Sequence, residues 1–252
     1  MAKIALITGA TSGIGEATAH IFARERYNVI LTGRRLDRLE KLAVDINKEY
    51  NVEVAICAFD VRDKDEVISN LENLPAHWKK VNVLVNNAGL SQGLDPIQNG
   101  SFDDWDTMID TNIKGLLYVS KVVSNWMIAN GYGHIINIGS IAGKEVYPNG
   151  NVYCASKAAV DSLNKAMRLD LLTHGIKVTA IHPGAAETEF ALVRFKGDKT
   201  RAKKTYEGFE PLVAEDIAET IWFAASRPPH VNINELIVMA TAQADANHFY
   251  RK

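Results

Sequence analysis

Tyr153 and Lys157 stand four residues apart, so on a helix their side chains share one face, one turn from each other. An unperturbed tyrosine, with a pKa near 10, is poorly matched to acid–base work at neutral pH. A neighbouring ammonium favours the tyrosinate and lowers that value, and it can also donate to a ribose hydroxyl. Such a pair is common on helix surfaces and would mean little alone. Ser140, thirteen residues upstream in the loop after an apolar run, adds a hydroxyl able to hydrogen-bond a reacting oxygen. The three together read as a proton-transfer site.

A second group of residues suits phosphate. Thr8-Gly9-Ala10-Thr11-Ser12-Gly13-Ile14-Gly15 follows the first apolar run and opens a helical pattern. Glycines there permit a tight turn and bring backbone N–H groups and a helix N-terminus close to a pyrophosphate. Further on, Val29–Thr32 runs into Gly33-Arg34-Arg35 with no acid at the tip. An NAD site places a carboxylate there for the ribose 2′-hydroxyl, and a carboxylate would repel a 2′-phosphate. Guanidinium groups bind that phosphate by charge-assisted hydrogen bonds, so the expected cofactor is NADP.

These groups need a frame that brings residues over a hundred positions apart to one crevice. Ile4–Thr8, Val29–Thr32, Val54–Ala58, Val83–Asn86, His134–Ile138, Val178–Ile181 and Leu236–Met239 are short, β-branched strand candidates. Amphipathic patterns such as Glu16–Arg26, Leu36–Glu49, Asp103–Asn130 and Tyr153–His174 lie between them. Apolar strands alternating with helices predict an α/β fold: a single-domain, Rossmann-type doubly wound parallel sheet with helices on both faces. The length of 252 residues fits one domain, 1–252, combining dinucleotide binding and catalysis. The charged, aperiodic stretch Phe190–Phe209 follows a strand's carboxyl end and is expected to form a flap over the ligand crevice.

Composition narrows the partners. A formal net charge of -2 gives no global reason to expect nucleic-acid or anionic-membrane binding. Every apolar run is too short to cross a bilayer, and the N-terminus does not read as a signal peptide, so the expected compartment is the cytoplasm. Cys57 and Cys154 read as buried small hydrophobes. The seven histidines are scattered, with no spacing that builds a metal site, and none is expected.

The motifs taken together resemble the short-chain dehydrogenase/reductase family along almost the whole chain. Thr8–Gly15 looks like its nucleotide turn, with Gly9, Thr11, Ser12, Gly13, Ile14 and Gly15 at the cofactor, and Asp60-Val61 resembles its adenine-contacting pair. Asn86-Asn87-Ala88-Gly89 is similar to its N-N-A-G motif, placing Asn87, Ala88 and Gly89 beside the cofactor. Asn112, Ser140, Tyr153 and Lys157 fall on its catalytic tetrad. Pro183-Gly184-Ala185-Ala186-Glu187-Thr188 fits its P-G-x-x-x-T motif at the nicotinamide. The resemblance implies that Tyr153 exchanges a proton with the alcohol or carbonyl oxygen, which Ser140 positions. It implies that Lys157 holds the nicotinamide ribose and lowers the tyrosine pKa. Asn112 would anchor a proton path to solvent, and Thr188 would bind the carboxamide. It also implies a homotetramer built through the helices Asp103–Asn130 and Tyr153–His174.

Thr188-Glu189-Phe190, Val193–Asp198 and His230–Leu236 further resemble the subgroup acting on small 3-hydroxy acids, which uses serine, allo-threonine, 3-hydroxyisobutyrate or 3-hydroxypropionate-type compounds. The flap is strongly basic, and Arg194 is the candidate anchor for a substrate carboxylate, its direction set by Val193 and Phe195. Three readings follow: a 3-hydroxy acid dehydrogenase, a broad carbonyl or 3-oxoacyl reductase of the same fold, and a non-catalytic dinucleotide sensor. Retention of Ser140, Tyr153 and Lys157 together argues against the sensor.

Overall fold

The computed structural model describes residues 2–252. Its centre is one sheet of seven strands: β1 (Ile4–Ile7), β2 (Asn28–Gly33), β3 (Val54–Ala58), β4 (Val83–Asn86), β5 (His134–Ile138), β6 (Lys177–Pro183) and β7 (Glu235–Val238). All pairings are parallel, in the order β3-β2-β1-β4-β5-β6-β7. The chain therefore winds outward from β1 to β3, then returns to place β4 beside β1 and winds the other way. Helices diverge at that reversal, and the gap left at the strands' carboxyl ends is where such sheets hold ligands.

The strands are apolar because both faces are covered. Alternate residues of β1 serve opposite cores. Ala5 and Ile7 join Phe22, Leu39 and Ile217 on one side, while Ile4 and Leu6 join Val67, Val119 and Met127 on the other. The first side is covered by α1 (Gly13–Arg24), α2 (Leu36–Tyr50) and α9 (Ala214–Ala225). The second is covered by α3 (Lys64–Glu72) and α5 (Leu116–Asn130), while α6 (Asn151–Asp170) carries the paired tyrosine and lysine. Cys57 and Cys154 are both free and buried, as expected.

Two stretches depart from the sequence expectation. The helix expected over Asp103–Asn130 is interrupted: α4 (Phe102–Ile109) gives way to a π-helical turn, Asp110–Gly115, before α5 begins. Asn112 lies in that turn and sends its side chain to the loop after β4. Gly115 passes so close to Val61 that a Cβ would come within 2.8 Å of the valine methyl. The wider turn serves these contacts, in keeping with the use of π-bulges at functional sites. The flap, aperiodic in sequence, folds into two short helices, α7 (Phe190–Arg194) and α8 (Lys199–Lys204), the second capped by Asp198.

Candidate active site

A cavity of about 550 Å³ opens at the reversal and is lined by segments following β1, β2, β4, β5 and β6. Its nucleotide end is the glycine turn. Gly9 and Gly13 have φ of +66° and +55°, where side chains are strained. At Gly15 a Cβ would lie 2.3 Å from the Gly9 carbonyl oxygen and 2.5 Å from the Asn87 amide nitrogen. The cradle exists because these positions lack side chains. Asn87 locks it from β4, donating to the carbonyls of Thr8 and Gly9 at 2.9 and 3.2 Å. Thr188 packs over Gly13 from the opposite wall.

The two arginines both line the cavity but point differently. Arg35 turns inward and donates to the Thr11 hydroxyl, at 3.1 and 2.7 Å, and to the Ser12 hydroxyl at 3.0 Å. Arg34 is 60% exposed, its guanidinium 3.8 Å from Asp60. Asp60 itself is gripped by Arg62 at 2.7 Å. Burial works against its charge, but the Arg62 hydrogen bonds outweigh that and hold its carboxyl below the usual range. Sequence reading missed two residues here. Glu189, at the start of α7, bridges Arg35 at 3.1 Å and Arg38 at 2.8 Å, tying the flap to the arginine side of the crevice. Arg38 lies in the first turn of α2, three residues beyond Arg35. Glu189 could not be paired with it from 151 positions away.

At the other end lie Ser140, Tyr153 and Lys157, all buried. Ser140 Oγ accepts from the Ala142 N–H at 3.1 Å, which fixes the hydroxyl at the start of a 3-10 turn, Ile141–Gly143. Burial raises the Tyr153 phenol above its ordinary pKa, against the pull of the Arg194 charge and of a hydrogen bond with Ser140. Lys157, expected to supply that pull, instead donates to the Ile138 carbonyl at 2.8 Å. Burial lowers its own pKa to about 8, since a desolvated ammonium is costly. Asn112 makes three hydrogen bonds: its amide nitrogen donates to Leu90 O at 2.8 Å and Ser156 Oγ at 3.0 Å, and its oxygen accepts from Leu90 N at 2.8 Å. It pins the loop after Gly89 to α6.

Arg194 reaches this end of the cavity. Its guanidinium donates to Ser91 Oγ at 3.1 Å and to the Tyr147 hydroxyl at 2.7 Å. It stands over the rings of Phe190 and Tyr153 at 4.9 and 5.2 Å. Its direction is set by these partners and not by Val193 and Phe195, since Val193 is exposed. Most other flap cations are exposed, as on a solvated surface, though Lys196 pairs with Asp104 at 2.8 Å. The C-terminal segment closes the wall: Gln243 accepts from the Ala185 N–H at 2.8 Å, and Phe249 packs on Phe209 with centroids 5.1 Å apart. No local pattern marked Ser91, Tyr147 or Gln243, which the fold alone brings together.

A parallel sheet with a glycine cradle at its reversal and a buried Ser–Tyr–Lys group defines a dinucleotide-dependent oxidoreductase. The family model for short chain dehydrogenases matches residues 3–198, and the chain belongs to that family. It is 46% identical over 244 residues to the NADP-dependent 3-hydroxy acid dehydrogenase YdfG of Salmonella typhi, covering 96% of this chain and 97% of that one. It is 47% identical over 245 residues to sulfoacetaldehyde reductase 2 of Chromohalobacter salexigens, covering 97% and 96%. Among solved structures, the closed form of serine dehydrogenase complexed with NADP+ superposes with a TM-score of 0.92 at 43% identity, over 99% of each chain.

Proposed function

We propose that this protein is an NADP-dependent dehydrogenase of small 3-hydroxy acids. The observation that carries the reading is Arg194, a guanidinium held beside the Tyr153 ring by Ser91 and Tyr147. An acid whose hydroxyl meets Tyr153 would find its carboxylate partner there, in a bidentate geometry that suits arginine. The similarity to a 3-hydroxy acid dehydrogenase and a serine dehydrogenase supports it. A carrier-linked acyl chain would need an apolar mouth, whereas the flap beside the cavity is basic, which favours a small acid over the 3-oxoacyl reductase reading.

The glycine cradle and the inward-turned Arg35 fit a dinucleotide with a 2′-phosphate, Arg34 and Asp60–Val61 lying towards its adenine end. Ala88, Gly89, Pro183, Gly184 and Thr188 line the same cavity at the nicotinamide side. The nicotinamide, when bound, takes up or supplies the hydride. Tyr153 moves the proton at the substrate oxygen, and Ser140 holds that oxygen against it. Lys157, with its depressed pKa near 8, is able to pass a proton at neutral to mildly alkaline pH. Asn112 keeps the Leu90 loop and α6 in fixed relation.

We further propose a homotetrameric, cytoplasmic enzyme, on the family resemblance. Leu117 on α5, Leu169 near the end of α6 and Leu172 in the turn after it are exposed apolar groups that contact between copies would bury. No helix among the described residues is long and apolar enough to cross a membrane.

The test is cofactor reduction with NADP+ and NAD+ against a panel of 3-hydroxypropionate, 3-hydroxyisobutyrate, serine, allo-threonine and neutral alcohols. The reading expects NADP+ over NAD+ and acids over neutral alcohols. Preference for neutral alcohols contradicts it.

A further inference from the structure

Behind Ser140, on the side away from the cavity, the fold gathers a polar cluster that the reaction itself does not use. His182, near the end of β6, is fully buried, with Nδ1 3.3 Å from the Ser140 carbonyl oxygen. Its Nε2 has no hydrogen-bond partner and lies 3.4 Å from Asp161 Oδ1 and 3.9 Å from Glu235 Oε2. Between those carboxylates sits the Lys144 ammonium, 2.9 Å from Asp161 and 2.7 Å from Glu235. Lys165 holds the other Asp161 oxygen at 2.8 Å. The cluster joins the turn after Ser140, α6, β6 and β7.

We propose that His182 is a positioning residue, which holds the Ser140 main chain where its hydroxyl meets the substrate oxygen. This rests on the reading of Ser140 given above. The end of β5 is fixed at three successive residues. Lys157 donates to Ile138 O at 2.8 Å, Gly139 N donates to Ile181 O at 2.7 Å, and His182 faces Ser140 O. The first hold comes from Lys157 on α6 and the third from His182 on β6, whose Nε2 faces Asp161, one helical turn beyond Lys157. Gly139 is part of the fit, because a Cβ there would lie 2.4 Å from His182 Nδ1. Only glycine lets the imidazole pack flat against the strand end.

A neutral imidazole carries one ring proton, and here two acceptors compete for it: the Ser140 carbonyl at Nδ1 and the Asp161 carboxylate at Nε2. Burial and the Lys144 charge keep the ring neutral, against the opposing pull of Asp161, the Ser140 carbonyl and Glu235. Lys144 also decides between the acceptors. It neutralises Asp161 and Glu235, and Nε2 makes no hydrogen bond to either, so the proton is assigned to Nδ1, where it serves Ser140. An Nε2–H tautomer would instead set a nitrogen lone pair against the carbonyl and loosen the turn.

Substitutions at position 182 separate this role from packing. Asparagine places an amide N–H near the Nδ1 position, glutamine places one near Nε2, and leucine fills the volume with no donor. His182→Leu and His182→Gln should lower kcat with NADP+ and 3-hydroxyisobutyrate about ten- to a hundredfold, the order that small misplacements of a catalytic group cost. NADP+ affinity should stay within about twofold, since no cofactor-cradle contact changes. His182→Asn should recover most of the lost kcat. Ser140→Ala, measured alongside, reports on the reading beneath: if it leaves kcat intact, Ser140 is not the group that meets the substrate and both fall. If Ser140→Ala is crippled while His182→Leu keeps near-normal kcat, or Asn loses as much as Leu, the positioning role alone is overturned. Histidine-selective 15N NMR of the wild type needs no substrate, and keeps the proposal open to refutation if a variant does not fold. An Nδ1–H tautomer at neutral pH is expected, and an Nε2–H tautomer overturns it.

Discussion

On the nucleotide side of the crevice, shape comes from backbone. Gly9, Gly13 and Gly15 are placed by one tight turn, and β1 and β4 lie side by side beneath it. The substrate side is assembled from side chains that meet across the whole chain. Arg194 reaches Ser91 from 103 positions away and Tyr147 from 47, and Gln243 meets Ala185 across 58. The first kind of site tolerates little change in its glycines yet carries little information about which molecule is oxidised. On the reading proposed above, the second sets the substrate through a few polar contacts between side chains far apart in sequence.

The largest effect is expected at Tyr153, which belongs to the substrate side. Tyr153→Phe keeps the ring under Arg194 and removes the transferable proton. Turnover should fall by at least the ~10²-fold that general acid–base catalysis supplies, with NADP+ affinity little changed. Near-normal turnover would show that another group carries the proton.

The nucleotide side is tested by its two arginines, which differ in exposure and in partners. Arg35→Ala removes a guanidinium tied to Thr11 and Ser12, and should weaken NADP+ by about tenfold, the lower end of a lost charge-assisted contact. Arg34→Ala, at a more exposed position, should weaken it less. Fluorescence titration with NADP+ and NAD+ decides this. A larger loss at Arg34, or equal wild-type affinity for the two cofactors, would reverse the assignment.

The sheet beneath both regions should respond to acid. Buried His134, the first residue of β5 and so at the end of the sheet away from the crevice, donates from Nε2 to Thr179 Oγ1 at 2.7 Å; that hydroxyl in turn donates to Ile233 O. Burial first, and then the Lys177 charge, depress the His134 pKa to about 3. An unfolded histidine titrates near 6.5, so between those values the unfolded chain binds a proton the folded one refuses. The stability is complete above about pH 6.5 and falls by up to ~1.4 kcal/mol per pH unit towards 3. Urea midpoints at pH 7 and pH 5 should separate more for wild type than for His134→Asn. Equal separation would mean that His134 is not the titrating group.

What could be read from sequence follows the same division. The glycine turn, the seven strands and the Ser140–Tyr153–Lys157 group are legible because each is a local pattern of residue type or spacing. Arg194 was legible as a cation in a flap, but not why it points inward, because Ser91, Tyr147 and Phe190 lie on other elements. The π-turn at Asp110–Gly115 left no trace in the apolar period, being set by Asn112 reaching Leu90 and Gly115 lying against Val61. Likewise His182 looks in sequence like one scattered histidine among seven, and only β6 lying beside β5 brings it behind Ser140.

The most direct test of the account is substrate selectivity at Arg194. The guanidinium also lies over Tyr153, so its loss can slow every substrate, and the informative quantity is a ratio. kcat/KM should be measured for 3-hydroxyisobutyrate and for an uncharged alcohol of similar size, in wild type and Arg194→Met, at fixed ionic strength. The account predicts that the acid-to-alcohol ratio falls by about ten- to a hundredfold, the worth of a charge-assisted contact made to the acid alone. An unchanged ratio, whether both substrates suffer equally or neither does, would contradict a carboxylate anchor at Arg194.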